Sequence, residues 1–160
     1  MSWVNLKLKL KWKLKEISRI PYNIYMCLRF PFLRPKMGYF GQYNWYRCIP
    51  IGWRKSFGIQ LCKEIKQALK RYPNNKFIIT DIKEKYGSLN IYEYGSPDEV
   101  HDIINKYGYI SAHTCIECGR IATRRSKGYI LPYCNDCEGQ YVFSYDEYYK
   151  DYSFYGWTKH

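Results

Sequence analysis

The feature that most constrains this chain is CIECGRIATRRSKGYILPYCNDC, Cys115 to Cys137, where two Cys-x-x-Cys pairs stand fifteen residues apart. Pairs at such spacing supply four thiolates to one ion, and Zn²⁺ held this way has a closed tetrahedral shell. A closed shell leaves no position for a substrate or an activated water. The cofactor expected on Cys115, Cys118, Cys134 and Cys137 is therefore a structural Zn²⁺. A redox Cys-x-x-Cys would call for a thioredoxin-like βαβ pattern, which the chain lacks. Cys115-Ile116-Glu117-Cys118-Gly119 looks like a zinc knuckle, with glycine permitting the tight turn whose amides face the sulfurs. Between the pairs, residues 120–125 and 129–133 form a hairpin turning at Ser126-Lys127-Gly128. If Cys134 and Cys137 open a short helix the module is a treble clef, and if they sit in a second tight turn it is a zinc ribbon. His113, two residues before Cys115, is an alternative ligand that four well-spaced cysteines make unnecessary.

At 160 residues the chain has room for one core and one metal staple. The other three cysteines, Cys27, Cys48 and Cys62, are scattered and odd in number, which fits a reducing compartment better than a disulfide framework. Residues 1–56 carry twelve Lys or Arg against Glu16 alone, a net charge of +11, while the other 104 residues are nearly neutral. Charge this lopsided suits an anionic partner: phosphate backbone, lipid headgroups or an acidic protein surface. The bland alternative is a solvated basic face. The opening MSWVNLKLKLKWKLKE lacks the pattern of a signal peptide, and no stretch has the roughly twenty apolar residues of a membrane span. The expected location is the cytoplasm or the inside of a virus particle.

Leu6, Leu8, Leu10, Trp12 and Leu14 alternate with Lys7, Lys9, Lys11, Lys13 and Lys15, which places apolar and cationic sets on opposite faces of an extended strand. Such a strand binds nucleic acid, lies on an anionic membrane, or is simply an edge strand protected by lysines. Prolines 21, 31, 35 and 50 predict an irregular, aromatic-rich arm over residues 21–53. Its rings either stack on bases or pack against the domain. Leu61, Ile65, Ala68 and Leu69 mark a helix over residues 56–71, KFIITDIKEKYGSLNIYEYG reads as two strands joined by a turn at Gly87-Ser88, and Ser96-Pro97-Asp98-Glu99 is a capping-box pattern. The helix it opens carries Val100, Ile103, Ile104 and Tyr107 on one face and is expected to end near Gly108. The tail after Cys137 has nine aromatics in 23 residues and is expected to pack, partly as a helix. The fold class is thus α+β, divided into an arm (1–51), a helix-hairpin-helix core (52–112), a zinc module (113–140) and an aromatic tail (141–160).

Arg120, Arg124, Arg125 and Lys127 offset the −2 of a tetrathiolate zinc site or contact nucleic acid, and the sequence leaves both roles open. None of the three histidines falls in a nucleophile or metal-hydrolase motif, and there is no glycine-rich phosphate loop. Asp81, Glu84 and Glu93 offer a candidate acid-base pair, but Lys83-Glu84-Lys85 reads more simply as a solvated charge cluster. The chain is therefore expected not to be an enzyme.

GWRKSFGIQLCKEI, TDIKEKYGSLNIYEYG, SAHTCIECG and YILPYCNDC, in this order, resemble a widespread set of uncharacterised small bacterial and bacteriophage proteins. The resemblance spans about residues 52–137 and implies the segment order and the metal site, with no activity attached. The expected function is non-enzymatic: a zinc-stabilised protein whose basic arm engages nucleic acid. The alternative is a phage structural or host-interaction protein whose arm docks on a protein partner or larger assembly.

Overall fold

A computed structural model describes residues 20–35, 45–126, 128–137 and 142–144. The chain divides into two compact units, Met1–Arg47 and Cys48–His160.

In the first unit, helix α1 (Ile20–Arg29) leads into a 3-10 turn at Pro31–Leu33. The irregular arm expected here is thus corrected to a ten-residue helix. Proline is tolerated at the start of a helix, where the first amides have no intrahelical acceptor, and Pro21 falls in that first turn. Asn23, Met26 and Phe30 are buried at spacings of three and four, whereas Tyr22, Ile24, Tyr25 and Leu28 are exposed. The alternating Leu/Lys strand of residues 6–15 lies outside the described residues. A second 3-10 turn, Trp45–Cys48, spans the division between the units.

The second unit opens on a continuous helical stretch: one α-turn, α2 (Ile51–Trp53), a π-turn at Arg54–Gly58, and helix α3 (Ile59–Leu69). The helix expected over residues 56–71 covers α3 and the end of the π-turn and misses the turns before it. Trp53, Phe57, Leu61, Ile65 and Ala68 all turn inward. Strands β1 (Ile78–Lys85) and β2 (Ser88–Tyr94) form an antiparallel hairpin with a bulge at Thr80, since Ile79 pairs Glu93 while Asp81 pairs Tyr92. Its two-residue turn has positive φ at both positions, 52° at Tyr86 and 77° at Gly87, as a tight hairpin requires.

Helix α4 (Asp98–Ala112) packs against both α3 and β2. Two expectations change here. The capping box is not made: Ser96 Oγ turns to the Pro97 carbonyl, Glu99 pairs with Arg71, and Pro97 holds the cap position through its extended backbone alone. The helix also runs through Gly108 to Ala112. A Cβ on Gly108 would lie 3.2 Å from the Leu89 carbonyl oxygen, so this glycine makes room for β2 and does not end the helix. Three residues on, the buried Ser111 accepts the Leu89 amide at 2.7 Å and donates to the Gly108 carbonyl at 2.6 Å. On the side facing α3, Tyr107 donates to Glu64 at 2.9 Å and Lys106 pairs with the same carboxylate at 2.7 Å. Burial and the Glu64 contact hold the Tyr107 hydroxyl protonated well above the usual tyrosine range.

A second sheet has the order β4-β3-β5: β3 (Arg124–Ser126) lies between β4 (Pro132–Tyr133) and β5 (Val142–Ser144), antiparallel to both. The described part of the tail is thus a strand and not helix. Val142 and Phe143 favour extended backbone, and the strand closes an edge of β3 that would otherwise be open. Among the described residues the architecture is α+β with two small antiparallel sheets.

A tyrosine with left-handed backbone costs about 1–2 kcal/mol relative to an ordinary conformation, and asparagine bears that conformation far better. Tyr86→Asn is expected to raise stability by about 1 kcal/mol, seen as a higher urea midpoint with an unchanged slope.

Candidate metal centre

The four expected cysteines come together. One sulfur from each of Cys115, Cys118, Cys134 and Cys137 lies within 4.8 Å of all the others. A tetrahedron with metal–sulfur bonds of about 2.3 Å has edges of about 3.8 Å, so the group needs little adjustment to close on one ion. Cys118 and Cys134 already stand 3.5 Å apart. Cys115 and Cys134 are buried, while Cys118 and Cys137 are partly open to solvent. An all-thiolate tetrahedron suits Zn²⁺ or iron and leaves no vacant position once filled. His113 stays outside the group, with its Nδ1 3.1 Å from the Tyr109 carbonyl.

The first pair sits in a knuckle closed by the amide of Cys115 donating to the Arg120 carbonyl at 2.7 Å and that of Gly119 donating to Cys115 at 3.0 Å. Gly119 has φ 86°, a conformation strained for any other residue. The second pair is joined by a single 3-10 turn, Asn135–Cys137, in which the Cys137 amide donates to the Cys134 carbonyl at 3.1 Å. The β3–β4 hairpin links the two pairs, and the Ile116 amide donating to the Pro132 carbonyl at 3.0 Å ties the knuckle to its second strand.

This knuckle is built into the core. The Gly52 amide donates to the Ile116 carbonyl at 2.8 Å, and a Cβ on Gly52 would stand 2.2 Å from the Cys115 carbonyl oxygen. From the other side, a Cβ on Gly119 would stand 2.5 Å from the Gly52 carbonyl oxygen. Next to this contact the buried Trp53 indole donates to the Thr114 carbonyl at 2.8 Å. The Gly-Trp pair is therefore a seat for the knuckle: glycine admits its backbone, and tryptophan fills the space beside it.

Of the cations expected to meet nucleic acid, Arg120 is exposed, and its guanidinium bridges Cys118 Sγ at 3.4 Å and the Asp136 carboxylate. Arg120, first through its side chain and then through its backbone amide, draws the Cys118 thiol down to about 6. The nearness of Cys118 pushes Cys137 up to about 12. Arg124 Nε donates to Asn135 Oδ1 at 3.0 Å. Arg125 is only 7 % exposed and donates to the carbonyl of Ala112, the last residue of α4, at 3.2 Å. Arg125 thus faces the core and caps a helix end, where a cation is favoured. Strand alternation could have revealed this, since Arg124 and Arg125 must point to opposite faces. Lys127 and Lys7, Lys9, Lys11, Lys13 and Lys15 lie outside the described residues.

Sequence reasoning missed the linking role of the β1–β2 turn. Glu84 accepts the Gly87 amide at 2.7 Å and also the Tyr129 hydroxyl, and a Cβ on Gly87 would stand 2.6 Å from an Arg125 guanidinium nitrogen. The Lys-Glu-Lys-Tyr-Gly turn therefore rests on the hairpin that joins the two cysteine pairs.

Fold and site together define a small α+β protein organised around a four-cysteine group able to hold a metal ion. No protein-family model, curated protein or solved structure matches the chain. Among the described residues no helix is long and apolar enough to cross a membrane.

Gly52→Ala forces a side chain into knuckle backbone that cannot give way, so a loss of about 3 kcal/mol is expected, together with reduced metal retention in elemental analysis. Arg125→Ala is expected to cost about 2 kcal/mol in thermal or urea unfolding, because it leaves the end of α4 without its charged donor.

Proposed function

We propose that this protein is a non-enzymatic binding protein in which a structural Zn²⁺ braces the fold and the basic amino-terminal third engages nucleic acid. The observation that carries this reading is the charge division: +11 within residues 1–56 and near neutrality elsewhere. A polyanion is the natural complement to such a segment, and phosphate contacts supply affinity without sequence preference. The four-sulfur group supports a bracing ion, because a filled tetrathiolate offers no site for substrate. Arg120 beside it offsets thiolate charge at the site itself. In its details the metal segment is read as a zinc knuckle followed by a hairpin, a variant of the treble clef or zinc ribbon. The cytoplasm or a phage particle fits its reduced thiols.

A second reading, docking on a protein partner in a phage or host assembly, is favoured by α1. Its Tyr22, Ile24, Tyr25 and Leu28 are 46, 55, 46 and 66 % exposed, an apolar set suited to a protein surface.

Fluorescence anisotropy with labelled oligonucleotides separates the two. Nucleic-acid affinity is expected to fall steeply with salt, and replacing Lys7, Lys9, Lys11, Lys13 and Lys15 by alanine is expected to reduce the slope of log K against log salt by about 4. No binding to any nucleic acid at low salt removes the first reading. Loss of a protein partner on deletion of residues 1–51, with zinc retained, establishes the second.

A further inference from the structure

We propose that the outward face of the β1–β2 hairpin is a stacking platform for unpaired nucleobases, with Tyr86, Tyr92 and Tyr94 as the rings and Lys83 and Lys85 as phosphate contacts. This deepens the nucleic-acid reading above and rests on it. The hairpin has two dissimilar faces. Ile82 and Leu89 turn inward and are buried, whereas register places Lys83 opposite Asn90 and Lys85 opposite Ser88, on the face that also carries Tyr92 and Tyr94. Tyr86, Tyr92 and Tyr94 are 75, 38 and 70 % exposed. The Lys83 ammonium stands 4.6 Å from the centre of the Tyr92 ring, held there by Asp81 at 2.7 Å, and that of Lys85 stands 5.6 Å from the centre of Tyr86. Cations set beside open aromatic rings form the surface that single strands use, since every base has a face to stack and a phosphate within reach.

A second observation points the same way. Tyr86 has the left-handed backbone that asparagine or glycine adopts readily, yet its ring is three-quarters exposed. No burial offsets that strain, so the use of this ring lies outside the fold, as strained positions at functional sites often indicate. From Ser88 to Tyr94 the strand is about 20 Å long at about 3.3 Å per residue, and with Tyr86 at its tip the face offers room for about three nucleotides. Bases within a duplex hide their faces, so the platform selects single strands.

The test uses the full zinc-loaded chain and anisotropy against a labelled 12-nucleotide thymidine strand, an unstructured RNA of equal length and a duplex DNA. Tyr94→Ala and Tyr86→Asn are each expected to lower single-strand affinity about tenfold and to leave duplex affinity and the salt slope unchanged. Because Tyr86→Asn is expected to make the fold more stable, weaker binding in that variant is not unfolding. Variants that bind single strands as tightly as the parent overturn this inference and leave the broader reading standing. Equal losses on single strand and duplex also overturn it, since they report electrostatics and not stacking. A parent that binds no nucleic acid at low salt removes both.

Discussion

The contact on which the rest of the second unit depends is backbone against backbone, Gly52 on the Cys115–Gly119 knuckle. A single hydrogen bond of 2.8 Å joins them, and neither glycine leaves room for one added carbon. Close approach of this kind fixes the start of the α2–α3 stretch relative to the first two thiols. The buried Trp53, whose indole reaches Thr114, then sets the level at which that stretch enters the core. An ion closing the cysteine group would restrain the knuckle, and through Gly52 it would restrain the first helical turn of the core as well. Metal binding and folding would then draw on the same free energy, as in small domains whose metal sites are not preformed.

Electrostatics at the site follow from crowding. Four sulfurs drawn together cannot all ionise easily without a cation, so the thiol nearest a guanidinium, Cys118, is drawn down while Cys137 is pushed up. Arg120 serves the thiolate and Asp136 together, and the neighbouring Thr123 and Arg124 both bond Asn135. These polar groups are spent within the module. The excess of cations over acidic groups lies elsewhere, in residues 1–56.

Spacing alone made the metal group legible, because thiols are chemically specific and two Cys-x-x-Cys pairs have few other uses. The β1–β2 hairpin was legible from its β-branched and aromatic residues, although its turn falls at Tyr86-Gly87, one residue before the expected Gly87-Ser88. Two boundaries were misread for one reason: Gly108 and Pro21 were taken by their propensities as breakers, whereas position decides what each does. Gly108 lies where a strand carbonyl approaches a helix, and Pro21 lies where a helix needs no amide donor. No local pattern could place Gly52 against Cys115, since the two are 63 positions apart and the contact involves backbone only. Arg125 shows a related limit. Its charge suggested solvent, but its partner is a helix end brought near by the tertiary fold.

Arg125 also explains why the aromatic turn and the metal hairpin are not independent surfaces. Its guanidinium lies against Gly87, Tyr129 bonds Glu84, and Glu84 in turn holds the Gly87 amide. Tyr86, the residue before Gly87, is therefore presented by a turn braced from below by the segment between the two cysteine pairs. A strained conformation persists only where its surroundings over-determine it, and here the surroundings include the hairpin between the two cysteine pairs. The ring at the tip of the hairpin is thus carried on the segment that joins the two cysteine pairs, an exposed aromatic that the fold itself has no need to display.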